Sequence, residues 1–201
     1  MTSKKRVVLI TGAESGIGKS TSKIFLDNGY KVICTYLKNN NNKNTKDIEY
    51  HRIDITKNKD WENLALYIKK KFKRIDVLVN SAGVRLSGNL ETTSMSDWSY
   101  HLNNNVTGTF LACKYILPFL KKAKNSSIIN VASINSIRGA KNMLAYATSK
   151  SAIISFTASL ALDLTKNKIR VNAVAPGAIE TPMLASFKKD LSLKEYQKKM
   201  K

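Results

Sequence analysis

The stretch Val7-Val8-Leu9-Ile10-Thr11-Gly12-Ala13-Glu14-Ser15-Gly16-Ile17-Gly18 reads as an apolar strand, a glycine-rich turn and the start of a helix. That order makes an anion site. The first backbone N–H groups of a helix have no partners inside it and point at whatever lies beyond its end. Glycines let the turn bend sharply and let backbone approach a pyrophosphate closely. The spacing is G-x-x-x-G-x-G rather than G-x-G-x-x-G. A short motif of this kind also fits an ordinary strand–turn–helix, so the rest of the chain has to decide.

Outward from this turn, strand-like and helical runs alternate. Strand-like runs cover residues 6–10, 31–36, 48–53, 76–79, 127–131 and 169–175. Helical runs cover 18–28 and 59–72, a pair within 96–122, and 145–166. Alternation of this kind implies right-handed crossovers and a parallel sheet covered on both faces. The nearly continuous Val/Ile/Leu content of the strands fits a doubly covered sheet. The expected fold is therefore a Rossmann-like, doubly wound α/β sheet in the order 3-2-1-4-5-6. Gly29 stands where the first helix should stop. The segment from Lys38 to Asp47 is almost all Asn, Lys and Thr and reads as a solvated loop.

Composition narrows the function classes. The chain has 201 residues, enough for one domain with a substantial core. Its formal charge of +20 comes mostly from lysines scattered along the chain, beside runs such as Asn39-Asn40-Asn41-Asn42 and Asn103-Asn104-Asn105. That pattern is compositional bias rather than a nucleic-acid face, and arginine, the preferred base reader, is scarce. No run is long and apolar enough to span a membrane. Cys34 and Cys113 read as buried thiols in a reducing cytoplasm. With His51 and His101 isolated, no metal site is expected.

Two Tyr/Lys pairs have the i,i+4 spacing that puts both side chains on one helix face, Tyr67/Lys71 and Tyr146/Lys150. The first lies in a lysine-studded helix and reads as an accident of composition. The second lies among small residues, in Ala145-Tyr146-Ala147-Thr148-Ser149-Lys150-Ser151-Ala152. It follows a strand ending Asn130-Val131-Ala132-Ser133.

With these motifs in order, the chain resembles a compact, single-domain short-chain dehydrogenase/reductase over roughly residues 5–184. Gly12, Ser15, Gly16, Ile17 and Gly18 match the family's cofactor loop. Asp54-Ile55-Thr56 resembles the segment that meets the adenine, and Asn80-Ser81-Ala82-Gly83 the N-N-A-G turn, with Ser in place of the second Asn. Asn105 falls where the family has its helix asparagine. Ser133, Tyr146 and Lys150 fall on its catalytic serine, tyrosine and lysine. Pro176 and Gly177, with Ile179 and Thr181, resemble the segment flanking the nicotinamide.

The resemblance implies hydride transfer between a nicotinamide cofactor and a carbonyl or carbinol carbon, while a proton moves at oxygen. Free tyrosine titrates near 10, too high for an efficient base at neutral pH, and a nearby ammonium favours the phenolate. Lys150 would also bond the nicotinamide ribose, and the Ser133 hydroxyl would donate to the substrate oxygen. Asn105 would orient a water or backbone group in a proton relay.

After the second strand the chain has Tyr36-Leu37-Lys38, with no carboxylate to accept from a ribose 2′-OH. Lys38 can pair with a 2′-phosphate, so NADP is expected, with NAD as the alternative. The partners expected are a small carbonyl or alcohol and a second copy of the chain, paired through helices 106–122 and 145–166.

The chain ends at Lys201, where the resemblance implies a longer lid and a seventh strand. The expectation is a cofactor-binding catalytic domain over 1–184, the start of a shortened lid over 185–201, and a missing seventh edge strand. Ser192-Leu193-Lys194-Glu195 reads as a capping box opening a helix. An impaired cofactor-binding or assembly protein of the same family is the alternative function. The substrate stays open among acyl thioesters, sugars, steroids and simple alcohols.

Overall fold

The computed structural model describes residues 5–38 and 43–188. Six parallel strands form one sheet: β1 (Val7–Thr11), β2 (Lys31–Tyr36), β3 (Ile48–Arg52), β4 (Val77–Asn80), β5 (Ser127–Val131) and β6 (Arg170–Val174). Their order is β3-β2-β1-β4-β5-β6, as the alternation of elements predicts. All five residues of β1 are buried, because the strand is central and covered on both faces. Register is fixed on both sides of it, with Leu9 opposite Ile33 on β2 and Leu78 on β4.

The helices are α1 (Gly16–Asp27), α2 (Asn58–Lys71), α3 (Met95–His101), α4 (Gly108–Leu120), α5 (Leu144–Asp163) and α6 (Pro182–Lys188). One core packs α2 and α4 on the sheet through Trp61, Leu64, Ile68, Leu111, Ile116 and Leu120. A second, on the other side of the same strands, packs Phe25, Leu26 and Tyr30 against Val8, Ile10 and Val32. Asp76 ties the bottom of the sheet, where its carboxylate accepts from the Val7 N–H at 2.8 Å and from Arg74 at 3.3 Å. α1 stops where expected: Gly29 has φ +79° and its N–H bonds the Leu26 carbonyl at 2.9 Å.

The pair of helices expected within 96–122 is present as α3 and α4. Between α3 and α4 runs a π-helical turn, Leu102–Thr107. It contains the three consecutive asparagines, whose side chains compete with the backbone for hydrogen bonds. The Asn104 amide indeed donates to the Tyr100 carbonyl at 2.9 Å. π turns within helices are often found at functional sites, and this one carries Asn105. Residues 192–195 lie outside the described residues, as does most of the predicted lid. No helix among the described residues is long and apolar enough to cross a membrane.

Candidate active site

A cavity of about 720 Å³ opens at the C-terminal ends of the strands, within the usual range of small-molecule sites and at the place where an open α/β sheet binds its ligands. The glycine turn forms one wall through Gly12, Ser15, Gly16 and Ile17. Two positions there have no room for a side chain. Gly12 has φ +65°, and a Cβ on it would stand 2.7 Å from the Ala82 Cα. A Cβ on Gly18 would stand 2.3 Å from the Gly12 carbonyl oxygen. Gly18 therefore lies outside the lining but allows the turn to close on itself. The Thr11 hydroxyl accepts from the Ser81 and Ala82 N–H groups at 3.1 Å each, locking the β1 turn to the β4 turn. Ser15 stands at the N-cap of α1 without a side-chain capping bond, and no acidic residue occupies the first turn. The free N–H groups and the dipole of α1 are thus left for an anion. This cradle fits the pyrophosphate of a dinucleotide.

Ser133, Tyr146 and Lys150 line the same cavity. They come from the end of β5 and from two successive turns of α5. All three are buried. Ser133 caps a short 3₁₀ turn, its hydroxyl accepting from the Asn135 N–H at 3.2 Å. The hydroxyl proton remains for a ligand in the cavity. Lys150 donates to the Val131 carbonyl at 2.7 Å, which ties its ammonium to the end of β5. Burial pulls its pKa down to about 8.

Asn105 does not line the cavity. Its amide pairs in both directions with the Val84 backbone, accepting from N–H at 2.8 Å and donating to C=O at 3.0 Å. It also donates to Ser149 at 2.8 Å, and Ser149 in turn donates to the Tyr146 carbonyl at 2.7 Å. The backbone group it orients is therefore Val84, and it braces the helical turn that carries Tyr146. Ser149, fully buried, is the link that sequence reasoning missed. Only its place between Tyr146 and Lys150 could have pointed to it.

The other matched positions divide. Tyr36, Ile55, Ala82, Gly83, Pro176, Gly177, Ile179 and Thr181 line the cavity. Asp54, Asn80 and Lys38 do not. The Asp54 carboxylate turns back to its own loop and accepts from the Thr56 N–H and hydroxyl at 3.0 and 2.7 Å. The Asn80 amide is buried and donates to the Asn130 side chain at 2.8 Å, joining β4 to β5. Lys38 is exposed. Sequence reasoning gave no role to Glu14, which does line the cavity. Among the described residues its Oε2 is buried with no hydrogen-bond partner. The Ala13 N–H bonds the Thr35 carbonyl at 2.9 Å, which holds this part of the turn against the end of β2. No group of three His, Cys, Asp or Glu side chains among the described residues could hold a metal ion.

The other Tyr/Lys pair, Tyr67/Lys71, is wired to a carboxylate. Lys71 donates to the Tyr67 oxygen at 2.9 Å, and also pairs with Glu49 at 2.6 Å. The Tyr67 hydroxyl donates to Glu49. Burial, and then the Glu49 carboxylate, push the Tyr67 phenol up against the opposing pull of Lys71. That is the wrong direction for a base, and the pair lies outside the cavity lining. Tyr67→Phe is expected to leave kcat and KM within about twofold of wild type, while the loss of one hydrogen bond to a charged group lowers stability by about 1.5–3 kcal/mol. Denaturation and steady-state kinetics on the same preparation check both.

Comparison with known proteins gives the class. The short chain dehydrogenase family model matches residues 6–192. The chain is 37% identical over 186 residues to the 3-oxoacyl-[acyl-carrier-protein] reductase FabG of Thermotoga maritima, covering 89% of this chain and 76% of that protein. In structure it is similar to the ligand-free aldohexose dehydrogenase of Thermoplasma acidophilum, with a TM-score of 0.87 and 33% identity over 98% of this chain and 76% of the other. It is also similar to ElxO with NADP bound, with a TM-score of 0.85 and 32% identity over 97% and 83% of the two chains. The chain belongs to the short-chain dehydrogenase family of oxidoreductases.

Proposed function

We propose that the chain is an NAD(P)-dependent oxidoreductase that interconverts a carbonyl and a secondary alcohol on a small organic substrate. One observation carries this reading: Ser133, Tyr146 and Lys150 share a cavity with an uncapped helix N-terminus and its glycine turn. When bound, the nicotinamide supplies or accepts the hydride. The protein's own groups do the rest. Ser133 donates to the substrate oxygen, where negative charge develops. Tyr146 gives that oxygen its proton in reduction and takes it back in oxidation. The Lys150 ammonium favours the phenolate and bonds the ribose. Asn105 holds the Val84 backbone and, through Ser149, the Tyr146 turn. The proton relay proposed is made by Ser133, Tyr146 and Lys150, with Asn105 supporting it through these backbone contacts. The test is turnover of a carbonyl panel with cofactor oxidation followed in parallel. Saturable cofactor binding without turnover would favour an impaired, cofactor-binding family member.

NADP is the cofactor proposed, supported by ElxO, whose structure holds NADP, and by Lys38 just beyond the end of β2. Glu14 favours the second reading, NAD, because its unpartnered carboxylate oxygen, in the turn held against the end of β2, would repel a 2′-phosphate and accept from a 2′-hydroxyl. Two substitutions separate the residues. Lys38→Asp is expected to shift the NADP/NAD ratio of kcat/KM several-fold towards NAD, and Glu14→Gln several-fold towards NADP. An unchanged ratio in either variant removes that residue from cofactor choice.

The same proposal includes a cytoplasmic enzyme, consistent with Cys34 and Cys113 being free and buried. It also includes self-association through α4 and α5, where Phe110 is 46% and Leu162 78% exposed. Residues 1–184 are the catalytic domain in this reading, and 185–201 the start of the substrate lid.

A further inference from the structure

α3 ends on a histidine that the proposed mechanism does not use. His101 is 1% exposed. Its Nδ1 lies 2.7 Å from the Asp97 carbonyl oxygen, and its Nε2 accepts from the Leu86 N–H at 2.9 Å. One ring nitrogen thus faces an acceptor and the other a donor. Only the neutral ring with its proton on Nδ1 satisfies both. The ring stands edge-on to that of Tyr146, with centroids 6.3 Å apart and planes at 70°.

The loop that His101 holds also holds the start of α5. Two residues after Leu86, the Gly88 N–H donates to the Asn142 carbonyl at 2.9 Å, and the Gly88 carbonyl accepts from the Leu144 N–H at 3.0 Å. Leu144 opens α5, two residues before Tyr146. The Arg85 guanidinium adds a contact on the same path, with Nε 3.4 Å from the Met143 sulfur. His101 therefore meets Tyr146 directly through its ring and indirectly through residues 86–88.

We propose that neutral His101 is a positioning residue for Tyr146, and that a proton on its Nε2 releases the 84–88 loop and slows turnover. This rests on the oxidoreductase reading of the site. A protonated ring would turn an N–H on the Leu86 N–H, losing that bond and leaving a charge in a buried place. The rings of Tyr100, on its own helix, and Tyr146, on α5, stand beside it, and Arg85 precedes Leu86 on the loop. Among the described residues no carboxylate lies within 4.0 Å of either ring nitrogen. The Asp97 carboxylate accepts from the Ser94 hydroxyl at 2.7 Å instead.

The test uses the full chain and two variants. In His101→Gln the side-chain oxygen can still accept from Leu86 but does not titrate. In His101→Leu the acceptor is gone. Wild-type kcat is expected to fall on the acid side in a one-proton step. His101→Gln should keep kcat within about threefold at pH 7.5 and lose that step. His101→Leu should lower kcat about tenfold, the scale of one lost hydrogen bond, with cofactor Kd unchanged. Amide exchange at Leu86 and Leu144, followed without substrate, gives a readout independent of turnover. Relative to His101→Gln at each pH, wild-type protection should weaken as pH falls, and His101→Leu should be weakly protected throughout. The same acid step in His101→Gln as in wild type, or wild-type kcat in His101→Leu, overturns the proposal. So does equal amide protection in all three proteins. If wild type turns over no carbonyl, the oxidoreductase reading fails, and the exchange data still accept or reject His101 as the support of the loop.

Discussion

Tyr146→Phe is expected to lower turnover by about 10²–10⁴-fold, the usual contribution of a positioned proton donor, with cofactor Kd within about twofold of wild type. The ring is buried and packs against His101, and phenylalanine keeps that packing. The brace from Ser149 reaches the residue 146 carbonyl, not the phenol, so the helix turn survives as well. Lys150 keeps its bond to Val131. Only the oxygen that carries the proton is lost. Steady-state kinetics and direct cofactor titration separate the two effects. An active variant would remove Tyr146 from the mechanism. A variant that no longer binds cofactor would show that the phenol acts in binding rather than proton transfer.

Gly18→Ala should act the other way, on cofactor binding first. Its new Cβ would meet the Gly12 carbonyl oxygen at 2.3 Å, and that oxygen belongs to backbone that cannot swing aside. Gly12 itself is wedged against Ala82. Displacing the turn costs about 1–3 kcal/mol, equivalent to about 5- to 150-fold in affinity at about 1.4 kcal/mol per tenfold. Calorimetric titration, with circular dichroism to check folding, measures it. Wild-type affinity in a folded variant would mean the turn does not hold the pyrophosphate.

The sheet was legible because each strand is a short apolar run bounded by turn residues, and because the alternation with a glycine turn after the first strand fits the Rossmann order. That Ser133, Tyr146 and Lys150 share one cavity was legible through motif order: Ser133 follows a strand, and Tyr146 and Lys150 share one helix face. What lay beyond the sequence was where side chains turn. Asp54 and Lys38 sit at the expected places in the chain, yet Asp54 bonds Thr56 and Lys38 is exposed, outside the cavity lining. Helix periodicity does not predict a π turn, so the inward rotation of Asn105 could not be read from Asn103-Asn104-Asn105. Glu14 and His101 were passed over for another reason. The roles proposed for them depend on neighbours from distant segments, Thr35 beside the glycine turn and Leu86 beside α3.

The central claim is that this cavity moves a hydride between a nicotinamide and a carbonyl carbon. The most direct measurement incubates the full chain with C4-deuterated NADPH or NADH and a panel containing a 3-oxoacyl thioester, simple ketones and aldehydes. Mass spectrometry then locates the label. The account predicts deuterium on the carbinol carbon of at least one product, equal in amount to the cofactor oxidised, and its loss in Tyr146→Phe. Saturating cofactor with no label on any carbon would contradict it.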